Sequence, residues 1–137
     1  MHDFLSKLEP RYEKKGQVLL SENESISEIL FFYTGSWCVG YELNKIAYFK
    51  IKIDSGTIDD AYRKGSIIGA YSATFNKRSP FAHKTLTVCE GFMIRRHNWN
   101  SILEDHPLME NEMKLNVIKL FRPMMEKLNN LKERHVA

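Results

Sequence analysis

Nothing in the sequence approaches the ~20 consecutive apolar residues of a membrane-spanning helix, and the N-terminus lacks the apolar core of a secretory signal. Cysteine is scarce. Cys38 and Cys89 are the two present, both in strand-like sequence, and they read as buried free thiols of a reducing compartment. Metal-ligand spacing is missing too. The histidines His2, His83, His97, His106 and His135 form no H-x-H pair with a carboxylate partner. There is no G-x-S-x-G nucleophile turn. Together these absences argue against an enzyme. Charge of one sign is also in short supply: a net +3 over 137 residues is too small and too evenly spread to mark a nucleic-acid or anionic-membrane surface. Internal repeats and low-complexity segments are absent.

What is present is a chain 43% hydrophobic, long enough for one domain with a real core. Phe4, Leu5 and Leu8 open it at helical spacing, and Pro10 is expected to stop that helix. Short strand-like runs follow: 11–14, 17–21, 29–34, 37–41 and 46–53. In the last, Phe49, Ile51 and Ile53 alternate with Lys50 and Lys52, the period of a half-buried strand. Lys15-Gly16, Glu22-Asn23 and Thr34-Gly35 supply turns, and Asn23 is suited to a positive φ. Asp54 to Arg63 reads as an exposed polar loop. A first half of short strands with regular turns favours a roll or sandwich, with Phe31, Trp37, Phe49, Ile51, Ile68 and Val88 in one core.

The second half turns helical. Gly91 to Arg95 gives another strand, and His97 to Glu104 a helix with Trp99, Ile102 and Leu103 on one face, ended by Pro107. From Leu108 to Arg134 the apolar residues Met113, Val117, Leu120, Met124, Leu128 and Leu131 recur every three or four positions. Pro123 falls inside this pattern and predicts a bend or break just before it. Trp37 and Trp99 read as core residues. His83 reads as a packed or edge histidine.

Between the halves lies the stretch KGSIIGAYSATFNKRSPFAHKTLTV, Lys64 to Val88. Gly69 permits a tight backbone at the head of one helical turn, a basic link from Asn76 to Pro80 follows, and Thr85 to Val88 reads as a strand. Helix N-termini favour anions, so the stretch has the parts of a phosphate-binding element.

In this order the elements resemble a cyclic-nucleotide-binding domain. Phe4 to Gly35, FLSKLEPRYEKKGQVLLSENESISEILFFYTG, matches the opening of such domains. Gly16, Gly35, Gly65 and Gly69 stand at their structural glycines, with Asn23 where a further glycine is usual. The close, NWNSILEDHPLM, is most similar to the cytoplasmic domains of cyclic-nucleotide-gated and hyperpolarisation-activated ion channels. The resemblance implies one domain over residues 1–137: an eight-stranded β-roll at about 10–96, flanked by a short N-terminal helix, a cassette helix, and hinge and lid helices at about 97–134.

The resemblance also implies a nucleotide site at Ile68, Gly69, Ala70, Tyr71, Arg78, Ser79 and Pro80, with Val117, Phe121 and Met124 on the lid. Its key charges are missing. Ala70 stands where the family has a glutamate for the ribose 2′-hydroxyl, and Ser79, counted from Gly69 and back from Trp99, where it has the arginine for the cyclic phosphate. The expected function is therefore a regulatory domain with a degenerate site. It would work through intramolecular or subunit contacts with the rest of a channel or a larger regulatory protein, as a homo-oligomer and on the cytoplasmic face of a membrane. The alternative is a genuine sensor of cAMP or cGMP, with Arg78 and backbone N–H groups holding the phosphate. No other cofactor is implied. A transcription regulator of this fold would need a helix-turn-helix after the lid, and none lies within the sequence.

Overall fold

The computed structural model describes residues 2–55 and 67–136. Most of the polar loop expected over Asp54 to Arg63, together with Gly65, lies outside the described residues.

Eight strands form two antiparallel sheets. They are β1 (Glu9–Glu13), β2 (Val18–Leu20), β3 (Glu28–Thr34), β4 (Ser36–Leu43), β5 (Ile46–Asp54), β6 (Ile67–Ile68), β7 (Ala82–Thr85) and β8 (Cys89–Arg95). One sheet has the order β1-β8-β3-β6 and the other β2-β7-β4-β5. Four helices complete the chain: α1 (His2–Lys7), α2 (Ala70–Phe75), α3 (Arg96–Asp105) and α4 (Pro107–Val136). This is a β-roll with flanking helices.

The turns follow local chemistry. Gly35 joins β3 to β4 at φ 107°, where an added Cβ would collide with the backbone of Val88 and with Cys89. Asn23 takes φ 66°, as its side chain allows. Asn44 and Lys45, both at positive φ, make the two-residue link between β4 and β5.

Apolar side chains divide between two clusters. Trp37, Val39, Tyr41, Ile53, Ile68, Phe81 and Leu128 belong to the one between the sheets. Ile26, Ile29, Ala73, Ile94, Trp99 and Ile102 belong to the other, beneath the helices. Phe31 is only half-buried and packs in the helical cluster, across Phe4 with ring centroids 5.8 Å apart.

Besides Phe31, two residues expected in the same core sit elsewhere. In β4–β5 pairing, Trp37 faces Ile53 and Val39 faces Ile51, but a bulge between Val39 and Gly40 then brings Tyr48 opposite Tyr41. The extra residue shifts the row by one, so Tyr48 rather than Phe49 continues the inward face. Val88 is exposed, 42% of its surface in solvent. The strand expected over 85–88 ends at Thr85, because the Leu86 and Thr87 N–H groups turn to donate to the Ser36 carbonyl.

Of the prolines, Pro107 stands just beyond the end of α3 at Asp105, as expected, whereas Pro10 does not stop α1 and Pro123 does not break α4. Pro10 lies in β1, at the edge of its sheet, where the lost N–H costs little; α1 has already ended at Lys7. Pro107 is the first residue of α4, a position that needs no amide donor. Helix α4 runs unbroken for 30 residues through Pro123. Pro123 and Lys119 are both exposed, so the carbonyl that Pro123 leaves unpaired can be satisfied by water.

Candidate functional site

The turn at the head of α2 is built by Gly69, whose φ of 89° places it in the left-handed region. It follows β6, which pairs with β3 through Leu30 and Ile68, so the short helix is fixed against the roll. At the far end, Asn76 closes α2 at φ 53° and its N–H donates to the Ser72 carbonyl. The link to β7 is tied down by backbone bonds on both sides of Ser79: its N–H donates to Glu24 O at 2.8 Å, and its carbonyl accepts from Asn23 N–H at 2.6 Å.

These elements, with α3 and α4, line a partly open cavity of about 220 Å³. Of the residues expected at the site, Gly69, Ala70, Tyr71, Ser79, Pro80, Val117, Phe121 and Met124 all line it. Two do not. Ile68 is buried in the core between the sheets. Arg78 is exposed, donates from Nη1 to the Asn23 carbonyl at 3.2 Å, and borders an adjoining polar groove with Glu22, Glu42, Lys45 and Lys77, which shares Tyr71, Ser79, Pro80 and Phe121 with the cavity.

Among the described residues the cavity wall carries no Lys, Arg, Asp or Glu. Its two serine hydroxyls are already committed, which leaves the Tyr71 hydroxyl. Ser79 Oγ donates to Phe81 O at 2.6 Å, and Ser72 Oγ to Arg78 O at 3.4 Å. Trp99 is core, as expected, and donates Nε1–H to Thr74 Oγ1 at 2.9 Å.

The sequence reading missed the helical side of the cavity, where Phe4, Ile102, Met109 and Met113 extend it beyond the cassette. Helical periodicity marks these residues only as apolar, so no signal distinguished wall from core. It also treated His83 as simply packed. His83 is buried in β7 and lines the cavity. Burial pushes its imidazole down to about 4, against a smaller opposing influence of the Phe81 backbone. Its Nδ1 finds no hydrogen-bond partner. The two thiols are buried and free. Desolvation raises both, and each donates to a backbone carbonyl: Cys38 to Lys84 O and Cys89 to Ser36 O.

Helix α4 flanks the cavity. Phe121 stacks on Tyr71 with centroids 4.0 Å apart and planes within 6°, and it also meets Phe81 at 5.9 Å. Further along, Lys132 pairs with Glu22 at 2.8 Å, and Tyr41 Oη lies 2.9 Å from His135 Nδ1. Glu22 and Glu42 each accept the other's backbone N–H, at 2.6 and 2.7 Å, which steadies the strand ends that receive α4.

Comparison with solved structures agrees with this fold. A cyclic nucleotide-binding domain from Methylobacillus flagellatus KT superposes with a TM-score of 0.71 at 16% identity, over 93% of this chain and 67% of that one. The C-linker/CNBHD of zELK channels, crystallised in the presence of cAMP, gives 0.63 at 18% identity, over 81% and 51%. The regulatory domain of Toxoplasma gondii PKA, co-crystallised with cAMP, gives 0.62 at 11%, over 76% and 38%. The chain thus spans from about two fifths to two thirds of the length of these structures. The fold is that of cyclic-nucleotide-binding domains. No family model matches the sequence, and no curated protein matches it. Among the described residues, no helix is long and apolar enough to cross a membrane.

Proposed function

We propose that this chain is a regulatory domain of the cyclic-nucleotide-binding type with a degenerate nucleotide site, a single unit over residues 1–137. It acts through contacts of its C-terminal helix within a larger assembly, as the cytoplasmic part of an ion channel does. The observation that carries this reading is the uncharged cavity wall, with Ala70 and Ser79 at the family's glutamate and arginine positions. A cyclic phosphate buried there would leave its charge uncompensated. Loss of a buried charge-assisted pair typically costs ~2–5 kcal/mol, and each ~1.4 kcal/mol is a tenfold loss of affinity. A site of about 1 μM would therefore weaken to roughly 0.03 mM or beyond.

Two further features support the proposal. Ser79 Oγ is spent on the Phe81 carbonyl, and Arg78 is engaged outside the cavity, which disfavours a genuine cAMP or cGMP sensor built on Arg78. Phe121 lies flat on Tyr71 at the cassette, so the lid's contacts come from the protein's own side chains.

Restoring the charges tests the assignment. The double variant Ala70→Glu, Ser79→Arg is expected to bind cAMP at least tenfold more tightly than the parent in a calorimetric titration. No gain in affinity from a folded double variant would contradict the placement of the two positions.

A further inference from the structure

We propose that this cavity is a binding site for a small, uncharged, largely aromatic molecule carrying one hydrogen-bond donor, oriented by the His83 imidazole. This goes beyond the functional reading above, which concerns the missing nucleotide charges and says nothing of what the apolar space accepts.

Size and chemistry of the wall come first. The cavity measures about 220 Å³, and an apolar cavity of ~150 Å³ already admits benzene. Phe31, Trp99, Ile102, Met109, Met113 and Leu120 supply flat and flexible apolar surface around it. Among the described residues no formal charge faces it, so an ion would enter without a counter-charge, whereas an aromatic ring would exchange water for close packing.

The polar content of the wall then selects the donor. The Ser72 and Ser79 hydroxyls and the Trp99 indole N–H are engaged with Arg78 O, Phe81 O and Thr74 Oγ1. Tyr71, Asn116 and His83 remain as polar side chains on the wall, and of these His83 alone is buried. His83 is 7% exposed, and its Nδ1 is shut off from solvent with no partner. A buried ring nitrogen without a partner is a standing cost to the fold. With no bond at Nδ1, neither the tautomer nor a flip of the ring is fixed from that side. A neutral imidazole in this setting has an unprotonated nitrogen to accept from an N–H or O–H donor.

Indole and benzothiophene probe the proposal, since they share a bicyclic shape and differ in the N–H donor. In calorimetric titrations of the native chain, both are expected to bind saturably, indole roughly five- to tenfold more tightly. His83→Leu should keep benzothiophene binding and remove the preference for indole. Met113→Trp, filling the cavity from α4, should abolish both. Absence of saturable binding by the native chain overturns the proposal. So does equal affinity for the two probes, or an indole preference that persists in His83→Leu. Neither probe is a nucleotide, so the result is independent of any response to cAMP.

Discussion

His83 shows how one side chain couples the cavity to stability. The ring would titrate near 6.5 in the unfolded chain and is pushed down to about 4 by burial. Between those values the unfolded chain binds a proton that the folded chain does not, so stability rises with pH across this window. As pH falls from 6.5 toward 4, about 3 kcal/mol of stability should be lost through this group. Denaturant titrations at pH 7 and pH 4 would measure it, with His83→Leu as the reference whose pH dependence is smaller by that amount. Equal slopes in the two proteins would mean that the folded ring titrates normally. A second residue-level contrast lies in the cassette. Ser79 was legible by counting from Gly69 and Trp99, and it does line the cavity. Arg78, one residue earlier, was expected to reach a phosphate and instead bonds the Asn23 carbonyl outside. Counting fixes position along the chain, but on a turn adjacent residues differ in reach: Ser79 lines both the cavity and the adjoining groove, Arg78 the groove alone.

At the scale of elements, helix α4 tests how much a proline matters. Its apolar stripe was readable from spacing alone, and Val117 and Leu128 are its buried members. Of the bend or break expected before Pro123, the break does not occur; periodicity cannot tell whether the lost hydrogen bond faces water or protein. Here it faces water, and the helix continues. Pro123→Ala should therefore restore a bond without repacking and raise stability by about 1–3 kcal/mol, read as an increase in Tm. A lower Tm would show that the roll depends on a bend at this point. The β5 register gives the complementary lesson. Alternation identified Ile51 and Ile53 correctly, but the bulge beside Gly40 put Tyr48 inward in place of Phe49. Gly40 itself is the physical cause of the close fit, since a Cβ there would strike the backbone of Tyr48 and Phe49.

For the whole molecule, the order of strands, glycine turns and helices carried enough information to specify the roll, because each hairpin turn and each buried row agrees with its neighbours. What lines the cavity was much less legible, as it draws on α1, α2, α3, α4 and the β7 strand at once. The α4 contacts bear directly on the proposed regulatory role. Phe121 on Tyr71, Lys132 with Glu22, and Tyr41 with His135 tie three successive parts of the helix to the roll. A ligand shifts such an arrangement only through contacts that differ between its states. Hydrogen exchange over Leu115 to Leu128 should accordingly show strong protection that saturating cAMP leaves unchanged. Fast exchange slowed only by cAMP would identify a ligand-driven lid.

We propose that this cyclic-nucleotide-binding fold has lost the groups that hold the nucleotide. Calorimetric titration of the native chain with cAMP and with cGMP measures that loss directly. The uncharged cavity wall, with Ala70 and Ser79 in place, predicts no saturable heat in the micromolar range for either nucleotide. A micromolar dissociation constant for cAMP or cGMP would contradict the degenerate site.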